Sequence, residues 1–343
     1  MKTTSLALIT LLVVNSMVFA ADPCAVTHWE LQAVDADGTG TYDATDKVII
    51  EGIILNNPEE MLDPTPGYTS DYQMWNMGGQ WQMFIQGEAN DHAGTALWMG
   101  QNYGNLPWLR NPAINYTDGE WVSELCRLNH DPCTGYTFAK GDRVRVTGWY
   151  KFYGGKTNIN EQHSKDPGMD FEIELLDAAV GLPQPEVITL DDVKDANDDF
   201  IFDANRLTGC EYYQARMVRV DDVNIVDVND WELDGMITIR DANGLTFPVK
   251  LGIGAGISRF ACPTGQIAVV GIFNQEDGSL PHTEGYEIWV TNYDGNGLVL
   301  TDRGYTRANT PGDINGDFKV DFKDFAEFAA NWLACAPGLC DCD

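Results

Sequence analysis

RVRVTGWYKF, residues 143–152, alternates apolar and polar side chains at nearly every step, the period of a strand with one buried face. Gly154 and Gly155 follow as a hairpin turn, and Lys156 to Gln162 returns as a second strand. The same pattern recurs in the other half of the chain. Val144-x-Val146-x-Gly148-x-Tyr150 is matched by Ile267-x-Val269-x-Gly271-x-Phe273, and each instance leads through a Gly-containing turn into a returning strand. A glycine inside a strand marks a bulge or a barrel corner. The repeat therefore predicts two equivalent β units, each built around a bent hairpin.

Strand patterns dominate outward from these hairpins. In the first block they cover Lys47 to Leu55, Gln80 to Gln86, Thr95 to Met99 and Phe171 to Leu176. In the second they cover Tyr212 to Val226, Met236 to Arg240, Leu245 to Leu251, Gln266 to Phe273 and Tyr286 to Val290. Residues 101–140 read as a long insertion carrying one short helix near Asp118 to Leu128. The expected class is all-β: two small Greek-key barrels that resemble the OB type, or two antiparallel sandwiches, with a short C-terminal calcium loop and helix. The expected organisation is a signal peptide at 1–20, a first domain at 21–180, a linker at 181–186, a second domain at 187–305, a calcium segment at 311–335 and a Cys-rich tail at 336–343.

MKTTSLALITLLVVNSMVFA, residues 1–20, has a lysine, an apolar run and small residues Val18 and Ala20 before Ala21, the pattern of a secretory signal peptide. The expectation is a secreted, extracellular protein with no membrane span. The chain carries a formal net charge of −31, one unit more negative once Lys2 is removed. Such a charge repels polyanions and disfavours nucleic acid, whose binding needs clustered Lys and Arg. It also suits a solvated surface in salty or calcium-rich surroundings. Export and the 8 cysteines point to disulfides, with Cys126–Cys133 and Cys210–Cys262 as the expected pairs. Spacing alone leaves the full connectivity open.

DINGDFKVDFKD, residues 313–324, carries the one spacing that specifies chemistry. Asp313, Asn315 and Asp317 fall at positions 1, 3 and 5 of a calcium loop, Lys319 at 7, Asp321 at 9 and Asp324 at 12. A helix with an apolar face of Phe322, Phe325, Phe328 and Trp332 follows. Residues 311–335 resemble one repeat of a type I dockerin, the calcium module that docks secreted bacterial enzymes onto cohesins. Phe318 stands where that family usually has Gly, and a single repeat is present where the family has two. The resemblance implies bound calcium and a cohesin-like or polysaccharide-processing context. A looser calcium-like ladder, Asp35, Asp37, Asp43 and Asp46 in DADGTGTYDATD, reads mainly as an Asx-rich turn entering a strand.

In the body, Trp149, Tyr150 and Tyr153 are the candidate ligand-binding rings, because a flat aromatic stacks on a sugar; packing into a barrel core is their competing role. Glu161 and His163, or either with Asp91, are the candidate acid–base residues, against structural hydrogen bonding. No nucleophile, metalloprotease, phosphate-loop or dinucleotide motif accompanies them. The sequence thus favours a secreted, non-catalytic, calcium-binding protein whose OB-like body binds polysaccharide or a protein partner. A calcium-dependent hydrolase acting on polysaccharide or nucleic acid is the alternative.

Overall fold

The computed structural model describes residues 23–43, 47–57, 80–101, 116–162, 164–293 and 298–300. The fold is all-β, with two closed five-stranded barrels. The first half opens with β1 (Cys24–Ala25) and the short helix α1 (His28–Leu31). It continues with β2 (Val48–Ile54), β3 (Gln80–Gln86), β4 (Gly94–Gly100), α2 (Asp118–Leu128), β5 (Arg143–Tyr153), β6 (Lys156–Asn160) and β7 (Glu172–Asp177). Its barrel runs β2-β3-β4-β6-β5 and closes through β5 against β2, while β1 and β7 extend the sheet. The second half has β8 (Glu186–Ile188), β9 (Met217–Ile225), β10 (Met236–Arg240), β11 (Thr246–Leu251), α3 (Ala255–Arg259), β12 (Ile267–Gln275), β13 (Tyr286–Val290), β14 (Asn292–Tyr293) and β15 (Leu298–Leu300). Its barrel runs β9-β10-β11-β13-β12 and closes through β12 against β9.

The two orders are the same order. In each barrel the third and fifth strands run parallel, β4 beside β6 and β11 beside β13, and a helix separates the third strand from the fourth. Closure removes the open edges that an antiparallel sandwich would leave, so of the two architectures expected, the barrels are the ones formed. The shared glycines explain the bend. A Cβ on Gly148 would meet Ile159 Cγ2 at 2.4 Å, and one on Gly271 would meet Ile288 Cγ2 at 2.5 Å. Each glycine admits the isoleucine of the returning strand, which is the close approach that a strand glycine allows.

The repeat extends to the entry of each half. Thr27 caps α1 in a capping box with Glu30, and Thr189 forms the same box with Asp192 around a short 3-10 turn. An Asx turn follows in both: Asp35 Oδ1 accepts from Asp37 N and Thr39 N, and Asp195 Oδ1 accepts from Asn197 N and Asp199 N. The carboxylate of Asp35 thus serves backbone donors, which agrees with the turn reading of this stretch. Thr117 caps α2 with Glu120, and the helix spans the residues expected from sequence.

Each barrel has its own core. Leu31, Trp81, Met83, Leu97, Trp121, Val144, Val146, Ile159 and Phe171 fill the first. Val220, Ile237, Ile239, Phe247, Val249, Phe273, Tyr286 and Ile288 lie in the second. A third cluster joins them: Leu55, Phe84 and Ala96 from the first half meet Leu182, Ala215, Met217, Val270, Ile272 and Trp289. The stretch expected as a linker is part of this contact. Gly181 donates its N–H to Gly141 O at 3.0 Å, and Leu182 is buried between the barrels.

The two disulfide pairs expected at Cys126–Cys133 and Cys210–Cys262 are not present in the structure. The five cysteines among the described residues are free thiols. Cys210 is sealed in the second core with Sγ against Val193 O at 3.3 Å. Cys262 lies beside Pro263 O, and Cys126 turns toward His130 one helical turn on. Closeness in sequence does not fix the side-chain direction that a disulfide requires. Among the described residues no helix is long and apolar enough to cross a membrane.

Candidate functional site

The two barrels are consistent with the OB type, in which ligands bind on the face of the second and third strands. In the first barrel those strands are β3 and β4. Trp81, Met83 and Ile85 point into the core, so Gln82, Phe84 and Gln86 occupy the outer face. That face is covered by the second barrel. Phe84 meets Trp289 edge to face, with ring centroids 5.9 Å apart. Gln86 Oε1 accepts from Met217 N at 2.9 Å, and Gly94 N donates to Gln214 O at 3.0 Å. A Cβ on Gly94 would meet Ala215 O at 2.1 Å, so the two backbones touch there.

The matching face of the second barrel is open. On β10 and β11, Ile237, Ile239, Phe247, Val249 and Leu251 point inward. Met236, Thr238, Arg240, Thr246, Pro248 and Lys250 form the outer face, in cross-strand pairs Met236 with Lys250, Thr238 with Pro248 and Arg240 with Thr246. Met236 is 43 % exposed, and Arg240 is exposed. Lys250 is held by Asp234 through its carboxylate at 2.7 Å and its carbonyl at 2.8 Å. The β9–β10 loop adds exposed Val228 and Leu233 beside this face. Thr246 donates its hydroxyl and N–H to Asp198, so this face offers the Thr238 hydroxyl, the Arg240 guanidinium and scattered apolar surface.

The rings expected to bind ligand do not converge. Tyr150 packs on Tyr42 with centroids 5.5 Å apart and borders the first core. Trp149 donates Nε1 to Gly168 O at 3.4 Å. Tyr153 stands 67 % exposed at the hairpin tip. Of the acid–base candidates, Asp91 and Glu161 lie among the described residues. Asp91 accepts from His28 N at 2.7 Å and Trp29 N at 2.8 Å, holding the start of α1. Glu161 is 0 % exposed, and both its oxygens are buried with no hydrogen-bond partner in the described structure. Burial pushes its carboxyl up to about 8, with Asp170 adding a smaller push in the same direction. His163 and the calcium ligands Asp313, Asn315, Asp317, Lys319, Asp321 and Asp324 lie outside the described residues.

What the sequence did not disclose is a polar network between the barrels, buried at Lys156, Asn274 and Glu287 and open to solvent at Glu276. Lys156, 7 % exposed, reaches out of the first barrel to Asn274 Oδ1 at 2.8 Å and to Glu276. Its ammonium also lies 5.9 Å from the Phe84 ring centroid and 5.5 Å from that of Trp289. Glu287 accepts from Asn274 Nδ2 at 3.0 Å and from Trp289 Nε1; burial raises its carboxyl to about 7, against the lowering effect of Asn274. Asn274, Glu276, Glu287 and Trp289 lie more than a hundred residues from Lys156, and no local pattern announces them. Among the described residues, no group of three or more His, Cys, Asp and Glu side chains is arranged to hold a metal ion. No known family model matches this chain, and a search of curated proteins finds no match either.

Proposed function

We propose that this is a secreted, non-catalytic binding protein: a stiff two-barrel body that takes polysaccharide, joined to a C-terminal segment that binds calcium. The observation that carries the reading is the asymmetry between the barrels. One sheet face of the ligand-binding kind is covered by the neighbouring barrel, and the equivalent β10–β11 face is left open with hydroxyl, guanidinium and apolar groups. The net charge of −31 argues against nucleic acid on that face. Against the hydrolase alternative, Asp91 is taken up in holding α1 and Glu161 is buried away from solvent.

The donor set supports calcium at 313–324: hard carboxylate and amide oxygens at alternate positions suit a hard cation. The resemblance to a dockerin makes a cohesin-like protein the second candidate partner, docking on 311–335. A glycan array run beside a reducing-sugar assay tests the body, with binding and no turnover expected. Sugar release that is lost in Glu161→Gln would overturn the non-catalytic reading. For the tail, limited proteolysis in chelator and in millimolar calcium should show calcium-dependent protection of 311–335, abolished by Asp313→Ala with Asp324→Ala.

A further inference from the structure

A concave site lined by residues of both halves shares no residue with the β10–β11 face. An open pocket of about 580 Å³ is lined by Val26, Trp29, Glu30, Ala33 and Tyr42 from the first half and by Asn205 and Arg206 from the second, with Cys24 at its edge. Its size falls within the range of small-ligand sites, roughly 300–1,000 Å³. Trp29 is fixed before any ligand arrives. The Arg206 guanidinium lies 3.8 Å from the Trp29 ring centroid, and the rings of His92 and Tyr212 meet its edges at 6.4 Å. Arg206 Nη1 donates to Trp29 O at 2.5 Å.

Arg206 itself is unusual. It is 3 % exposed, and its Nε and Nη2 are buried with no hydrogen-bond partner in the described structure. Its backbone sits at φ 57°, in the left-handed region, within a loop tied by Asp203 to Asn205 N, Leu207 N and Thr208 N. A non-glycine residue held in that conformation marks a constrained position. Burial lowers its ionisation to about 10, with Glu211 and Asp91 opposing the shift, so it remains a cation at neutral pH.

We propose that this pocket binds one neutral pyranose unit of a polysaccharide, stacked on Trp29 and Tyr42. The ligand class follows by charge. A cationic ligand on Trp29 would face the Arg206 cation packed against the same ring. An anionic sugar would meet the Glu30 carboxylate on the rim and the field of a strongly acidic protein. A neutral sugar needs a flat apolar platform plus donors and acceptors at its edge. Trp29 and Tyr42 supply the platform; Glu30, Asn205 and the Tyr42 hydroxyl supply the edge. A ring already immobilised loses little freedom on binding. The inference rests on the polysaccharide reading and adds to it both a site and a sugar class.

The test uses the full chain with cello-, xylo- and mannooligosaccharides and, as the anionic comparison, oligogalacturonate. Binding is read by calorimetry and by the alkylation rate of Cys24, followed on its own peptide. A neutral oligosaccharide should bind and slow alkylation of Cys24. Trp29→Ala, and the pocket-filling Ala33→Phe that leaves the Arg206 contact in place, should each weaken that binding by roughly tenfold or more. Arg240→Ala on the open sheet face should leave Cys24 protection unchanged. The pocket is overturned if no neutral oligosaccharide protects Cys24, if oligogalacturonate protects as well, or if binding survives Ala33→Phe. Sugar binding lost in Arg240→Ala but kept in Ala33→Phe would sink the pocket and leave the polysaccharide reading standing.

Discussion

The two barrels share strand order, closure, hairpin glycines and capped entry turns, yet they differ on the outer faces of their second strands and at one buried position. Phe84, on the outer face of β3, is buried against Trp289, while Met236, on the outer face of β10, is 43 % exposed. Two residues beyond the isoleucine that packs on the hairpin glycine, the first barrel has Glu161 and the second has Val290, and both are 0 % exposed. The comparison teaches that topology sets where a face can be, and docking sets whether it is free. One copy of the scaffold gives up its open sheet to hold the other, and the second copy keeps its own.

The largest expected effect breaks the symmetry at Glu161. Its carboxyl is held up to about 8 in the folded chain against an ordinary value of 4.5. Between those values the folded state keeps a proton that the unfolded state has lost, so the contribution of this group to stability falls as pH rises through the window and is gone above it. The shift corresponds to a change on the order of 4–5 kcal/mol. Glu161→Val, which copies Val290, should flatten the dependence when urea unfolding is followed from acid to mildly alkaline pH. A slope unchanged in the variant would assign it to other groups.

Trp289→Ala strikes the covered face. Removing a buried indole from the cluster that joins the barrels should cost about 3–5 kcal/mol in the same assay. Next comes the ion network between the barrels. Lys156→Met keeps the stem and removes the ammonium, leaving Asn274 and Glu276 without it; a loss of about 1–3 kcal/mol is expected. A thermal melt that matches the parent would show that water replaces the ammonium. The smallest effect belongs to the open face. Met236→Ala should stay within about 0.5 kcal/mol of the parent, and a cost equal to that of Trp289→Ala would mean that this face is covered as well.

Much of the scaffold was legible in the chain. The alternation at 143–152, the glycines at 148 and 271 and the short helix near Asp118 to Leu128 show over a few residues, so a linear reading finds them. Glu161 was also singled out, but for acid–base chemistry. Strand alternation placed it with Ile159, and only the closed barrel reveals that this side is the sealed interior. Tyr150 was picked as a ligand ring and is instead packed on Tyr42.

By itself, then, the sequence determined two β units with a repeated hairpin, their strands to within a few residues, the strongly acidic charge and the oxygen-ligand ladder at 313–324. These rest on period, turn chemistry and ligand spacing, which are local. Only the tertiary structure decided that Phe84 would be covered and Met236 left open, that Lys156 would find Asn274, that Leu182 would be buried and not spacer, and that Arg206 would cross to Trp29. Those contacts join residues far apart in the chain. They depend on how two finished barrels dock, and no stretch of sequence carries that geometry in its own period.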